Sequence, residues 1–312
     1  MPLIVNSGAS IASSSINNNN NNSYGLADDQ HSYVSSEFGQ LGGLPRTKRP
    51  APITIPYQPS PNPFHTLDLY LPAGGLSKTT PWLIFLHGGY WQDASQSKEV
   101  GASVLTRLPP HWAGASIDYR LSPEISHPGH LTDVNAAVRF LRSAYQIQSA
   151  VIMAHGAGAC IAFQFLSTQL SLVEDDSACW IKHVVGSGGV YDLVDLARDS
   201  PYYRSFITDA YGDDPEHWFE FSPMQSEWRA LYTPNLKVTL VHSKYDSIVP
   251  LGQALKFNDI LVTAGFPVSL RIVNIDGHDD VLDTSDLPSI AREVCEEMDR
   301  QEVEHTPQLP MC

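Results

Sequence analysis

The chain has 312 residues, with 34 acidic against 19 basic side chains and a formal net charge of −15. That sign disfavours nucleic acid and an anionic membrane surface as partners, because both are bound through clustered Lys and Arg. With 42% hydrophobic and 10% aromatic residues the chain can build a sizeable core, so global disorder is excluded.

Residues 1–45 are rich in Ser and Asn, with an unbroken run from Asn17 to Asn22, and are expected to form a disordered tail. A proline-punctuated stretch from Pro45 to Pro63 reads as extended chain leading into one domain over residues 46–305, with a short C-terminal tail at 306–312. Pro81–Leu86 is a continuous apolar run that suits a strand buried on both faces of a sheet. A strand is expected at Ala115–Tyr119, then a helix from about Leu131 to Ser143 with Val134, Ala137, Val138 and Leu141 on one face. Strand Ala150–Ala154 is followed by a helix from Ala157 to Leu170, and further strands are expected at Val184–Gly186, Lys237–Val241 and Ser269–Val273. Helices from Gly252 to Val262 and from Pro288 to Arg300 complete the set. The interval 192–232 breaks the alternation; its nine Tyr, Phe and Trp residues fit a cap over a pocket as well as they fit plain core. Alternating strand and helix imply an α/β fold, a mostly parallel central sheet flanked by helices, with ligands at the carboxyl ends of the strands.

The four cysteines, Cys160, Cys179, Cys295 and Cys312, show no C-x-x-C spacing, so neither a disulfide scaffold nor a zinc site is expected. Met1–Val5 lacks a positive leader region and no stretch approaches the roughly 18 apolar residues of a membrane span, so the expectation is a cytoplasmic protein without a membrane partner.

Three turns at strand ends carry chemistry, and they stand in a telling order. His87-Gly88-Gly89-Tyr90-Trp91 follows the first buried strand, Ala154-His155-Gly156-Ala157-Gly158 joins a strand to a helix, and Asp246 and His278 follow the last two strands. These are the parts of an α/β-hydrolase: an oxyanion loop, a nucleophile elbow, then the acid and histidine of a triad. Paired glycines let a backbone N–H approach a developing oxyanion, so Gly88 and Gly89 are candidate donors, with Ala157 N–H as the donor after the elbow. Asp246 would hold His278 in its useful tautomer. His87, Tyr90 and Trp91 are candidate substrate contacts.

The run His87–Gln92, together with Ser187-Gly188-Gly189-Val190-Tyr191-Asp192-Leu193, the elbow, His242–Asp246 and Gly277-His278-Asp279, resembles the kynurenine formamidases (arylformamidases) of the esterase and lipase branch of α/β-hydrolases. The resemblance covers roughly residues 60–300. It implies hydrolysis of an N-formyl aryl amide to formate and an arylamine, with a small aromatic or apolar substrate and neither metal nor organic cofactor. One departure matters: where the family carries its serine nucleophile this chain has Gly156, which cannot form an acyl-enzyme. Cys160, one helical turn on, is expected to face the helix packing, and Ser187 is expected to be a turn residue. Three readings stay open on the sequence: hydrolysis by His278 and Asp246 through acid–base chemistry, an inactive chain that binds a small aromatic ligand or a protein partner, or a serine hydrolase inactivated by Ser-to-Gly replacement.

Overall fold

The computed structural model describes residues 49–172 and 179–305. The Asn/Ser-rich tail over 1–45 and the C-terminal tail over 306–312 lie outside the described residues. Among those described, eight strands form one sheet: β1 (Ile53–Pro56), β2 (Thr66–Tyr70), β3 (Trp82–Leu86), β4 (Ala113–Ile117), β5 (Ala150–His155), β6 (Ile181–Ser187), β7 (Lys237–Ser243) and β8 (Val268–Val273). Their spatial order is β1-β2-β4-β3-β5-β6-β7-β8. β2 runs antiparallel to both of its neighbours and every other pairing is parallel.

The central strands are apolar throughout because helices cover both faces of the sheet. On β3, Trp82, Ile84 and Leu86 enter one core, while Leu83 and Phe85 enter the other. β5 repeats the alternation: Ala150, Ile152 and Ala154 face the first core, Val151 and Met153 the second, as the two-residue period of a strand requires. Helices α1 (Ala102–Leu105), α2 (Gly129–Tyr145) and α3 (Ala157–Ser171) follow in the first half of the chain. The first core takes Val134, Ala137, Val138 and Leu141 of α2, the expected face, and most of α3. The second takes Val104 and Leu105 of α1.

Between β6 and β7 lies the expected insertion, made of α4 (Leu193–Asp199), α5 (Arg204–Tyr211) and α6 (Pro215–Phe221) with two short 3-10 turns. Asp192 caps α4 by accepting from Asp195 N at 2.9 Å, and Asp214 caps α6 by accepting from Glu216 N at 2.9 Å, each satisfying an orphan donor of a helix start. The second half is completed by α7 (Gly252–Ala264), α8 (Asp280–Asp283) and α9 (Asp286–His305). No helix among the described residues is long and apolar enough to cross a membrane.

Two differences from the sequence expectation have physical causes. Ile53–Pro56, inside the stretch read as extended approach, and Thr66–Tyr70, unassigned just beyond it, are paired strands; Asp68 on the second accepts a hydrogen bond from Thr54 Oγ1 of the first at 2.6 Å. β4 ends at Ile117, so Asp118 and Tyr119 lie just beyond it; Asp118 N still donates to Thr66 O of β2 at 3.1 Å, and the Asp118 carboxylate accepts from Lys98 N at 2.6 Å and Lys98 Nζ at 2.7 Å.

Candidate active site

Register brings the motifs together. Leu86 pairs with Ala154, His155 with Ser187, and Ser187 with Val241, so β3, β5, β6 and β7 end at one level of the sheet. From β3 the chain passes to α1 and the second core, whereas from β5 it passes to α3 and the first. Adjacent strands that send their chains to opposite faces leave a crevice at their carboxyl ends. The glycine loop and the elbow are the two walls of that crevice.

Gly156 has φ 52° and ψ −120°, a backbone that L side chains rarely adopt, and it turns directly from β5 into α3. Two residues on, a Cβ on Gly158 would overlap the carbonyl oxygens of Leu86 and His87, so only glycine lets α3 come this close to β3. A Cβ placed on Gly156 would stand 3.0 Å from His278 Nε2 and 3.7 Å from Gly88 Cα. Position 156 therefore faces the histidine across the glycine loop.

The histidine is held from behind. His278 Nδ1 lies 2.6 Å from Asp246 Oδ2, and both side chains are buried. Asp246 Oδ1 accepts from the N–H groups of Ile248 and Val249 at 2.9 and 2.8 Å. Burial alone would raise the Asp246 carboxyl, but His278 and these two N–H groups outweigh it and hold the carboxyl below its ordinary value. The two loops are laced together as well: Ser243 Oγ donates to Ile275 O, and Lys244 N to Val273 O at 2.9 Å.

Gly89, Tyr90, Trp91, Gly156, Ala157 and His278 line one small cavity, with Val190, Leu196, Ile207, Ile248 and Val249 as its apolar wall and Tyr203 and Phe206 of the insertion as further lining. Its volume is about 10 Å³, room for one water molecule. Ala157 is the first residue of α3, so its N–H has no acceptor within the helix and is available to a ligand. Gly88 is not in the lining, although its Cα lies 3.7 Å from where a Cβ at position 156 would stand.

His87 stands elsewhere than a substrate contact would. It is 1% exposed, does not line the cavity, and stacks on Tyr119 with ring centroids 4.4 Å apart. The Tyr119 hydroxyl donates to the carbonyl oxygens of His87 and Gly88 at 2.9 and 3.1 Å, so this pair supports the loop from below. Burial pulls the His87 pKa down from its ordinary value and keeps the ring neutral. Cys160 is fully buried with Sγ 3.5 Å from Tyr211 Oη, and burial pushes its thiol up to about 12, which leaves it inert. Ser187 is also buried, its Oγ 3.4 Å from His155 Nδ1.

The sequence reading did not foresee the partnership of His155 and Asp279. His155 Nε2 lies 3.0 Å from Asp279 Oδ1, and the His155 ring packs against His278 with centroids 4.5 Å apart. Burial and then the neighbouring His278 lower the His155 pKa, while the hydrogen bond from His155 holds the Asp279 carboxyl low. With His278 these two form the group among the described residues whose ligand atoms, all within 4.8 Å, could hold a metal ion. His155 Nε2 and Asp279 Oδ1 already pair with one another, so this contact is accounted for by a hydrogen bond, while His278 Nε2 faces position 156. The insertion proves to be both things the sequence allowed: Trp218 and Trp228 are buried core, whereas Tyr203 and Phe206 line the cavity.

Comparison with known proteins agrees with this geometry. The chain is 28% identical over 203 residues to a kynurenine formamidase of Meyerozyma guilliermondii, covering 64% of this chain and 78% of that one. It is also 28% identical to the esterase LipC of Mycobacterium tuberculosis, covering 63% of this chain and 52% of that one. Among solved structures, a truncated carbohydrate esterase from gut microbiota superposes with a TM-score of 0.65 at 20% identity, covering 81% of this chain and 97% of the other. Esterase B of Lactobacillus rhamnosis superposes with a TM-score of 0.67 at 17% identity, covering 82% and 89%. The BD-FAE family pattern matches residues 67–261, well over half of the chain. With the sheet order, the elbow and the ordered Asp and His already in place, the chain belongs to the BD-FAE family and to the esterase-like α/β-hydrolases.

Proposed function

We propose that the chain is a kynurenine formamidase-like hydrolase of an amide or ester, an N-formyl aryl amide by resemblance, in which His278 and Asp246 activate water at the place usually held by a serine. One observation supports this most: a side chain at position 156 would place its Cβ 3.0 Å from His278 Nε2, beside a cavity with room for one water. In this reading the water gives its proton to His278 Nε2 as its oxygen bonds to the substrate carbonyl carbon, and Asp246 stabilises the imidazolium. The oxyanion is received by the N–H groups of Gly89 and Ala157. Collapse then breaks the C–N bond, and His278 returns the proton to the leaving arylamine, giving formate and amine.

Aromatic rings at Tyr90, Trp91, Tyr203 and Phe206 favour an aromatic or otherwise apolar substrate. No step requires a metal or organic cofactor. The test is hydrolysis of N-formylkynurenine and phenyl acetate by the purified protein and by His278→Ala. The expected result is a slow but measurable rate that falls by roughly 10² or more when the base is removed. A rate indifferent to His278 favours instead an inactive chain that binds a small aromatic ligand or protein partner, the reading that rests on Gly156.

A further inference from the structure

Three consecutive residues of the glycine loop lean on one helix of the insertion. The Tyr90 ring stacks on Tyr203, just before α5, at 5.2 Å and on Phe206 at 5.3 Å. The Trp91 ring meets Tyr211 edge-on at 5.3 Å. Gln92 Nε2 donates to Asp209 Oδ2 at 3.1 Å. Tyr90 and Trp91 have φ of 53° and 63°, the left-handed region, and two bulky residues in succession stay there only when their surroundings impose it. The turn they close is tight: Gly89 O accepts from Gln92 N and from Asp93 N, both at 2.8 Å, which fixes the Gly89–Tyr90 peptide directly after the candidate donor.

Tyr203 and Phe206 also line that cavity, whose volume of about 10 Å³ is far below that of an aryl amide or ester. A substrate of that size has to move part of this lining, and Tyr203 and Phe206 are aromatic rings there that the insertion carries. Displacing them removes the contacts that keep Tyr90 in its strained conformation.

We propose that α5 positions the oxyanion loop, so that opening the site to substrate and dismantling the oxyanion pocket are one event, and closure of α5 over a bound substrate rebuilds the pocket. Tyr203, Phe206 and Asp209 are then positioning residues that act through Tyr90 and Gln92. A substrate that keeps α5 displaced would meet an incomplete oxyanion site, so the shape tolerated beneath α5 becomes a filter on turnover as well as on binding. The idea rests on the proposed hydrolase reading only in giving Gly89 its role; the mechanical coupling stands apart from any activity.

The coupling is tested by amide hydrogen exchange on the full chain, with no substrate required. In the native protein the amides of Gln92 and Asp93 and those of α5 should share one level of protection, below that of the β3, β5 and β6 ladder. Phe206→Ala should lower loop and helix protection together, by roughly tenfold, and leave the ladder unchanged. Phe206→Tyr keeps a ring to stack on Tyr90 and should restore both. Because Phe206 is only partly buried, the alanine variant should fold; Gln92→Ala provides a second perturbation from the loop side and should loosen α5 in turn. Loop protection unaffected while α5 loosens, or an equal loss of protection across the ladder, would overturn the proposal.

Discussion

Replacing Gly156 by serine is the most informative single change. The backbone there, φ 52° and ψ −120°, costs a non-glycine residue about 1 to 3 kcal/mol, so the variant should be less stable by that amount. A Cβ would also press on His278 Nε2 at 3.0 Å, and the ring has to withdraw by a few tenths of an ångström to accept it. Loss of a triad nucleophile removes about 10⁶ in rate from a serine hydrolase, and a misplacement approaching 1 Å removes about 10². A restored but imperfectly seated serine should therefore raise turnover of an activated aryl ester by roughly 10⁴ over the native chain. The assay pairs hydrolysis of p-nitrophenyl acetate and labelling by a fluorophosphonate, located by mass spectrometry, with a urea melt. A folded variant that takes no label at residue 156 and gains no activity would refute the reasoning, because it would mean that Gly156 and His278 are not a nucleophile position and its base.

Two further outcomes follow from the same geometry. Asp246→Asn keeps the shape of the site but presents the wrong hydrogen-bonding partner to His278 Nδ1; the rate should fall by roughly 10⁴ in the Gly156→Ser background, read as kcat with little change in KM. Acid should destabilise the fold before the carboxylates titrate. His130 and His183 are buried, and burial lowers each from an ordinary 6.5 to about 4. The unfolded chain takes up these protons below about pH 6.5 while the folded chain declines them until about pH 4, so stability is full above the first value and is lost as pH falls toward the second. Each fully buried histidine contributes up to about 3 kcal/mol of that loss. Urea midpoints should be lower at pH 5 than at pH 7.5, and equal midpoints would contradict the assignment. Asp246, held below its ordinary value, adds a loss only at still lower pH.

Much of this site was legible because its parts are local. A run such as Trp82–Leu86 suits a strand covered on both faces, and His87-Gly88-Gly89 directly after it places a glycine loop at a strand end. The same logic placed Gly156, Asp246 and His278, and the parallel register then made them neighbours. What escaped was non-local. The His155–Asp279 pair joins residues 124 positions apart, and nothing in either motif advertises the other. His87 looked like a substrate contact by adjacency to the glycines, yet just past the end of β3 its ring stacks on Tyr119, a residue 32 positions on in the chain. The insertion could be read as aromatic but not divided into core and lining, because Trp218 and Phe206 differ only in what packs against them. β1 lay disguised among the prolines of the approach, and its partner β2 carries the charged Asp68, which is accommodated by a hydrogen bond from Thr54 of β1.

The central claim is hydrolysis by a histidine-activated water with no covalent serine intermediate. Its most direct measurement is turnover of N-formylkynurenine by the native chain before and after exposure to a fluorophosphonate, with His278→Ala alongside. The account predicts a rate that the reagent leaves unchanged and that the alanine variant loses. A rate abolished by the reagent, or one that survives removal of His278, would contradict it.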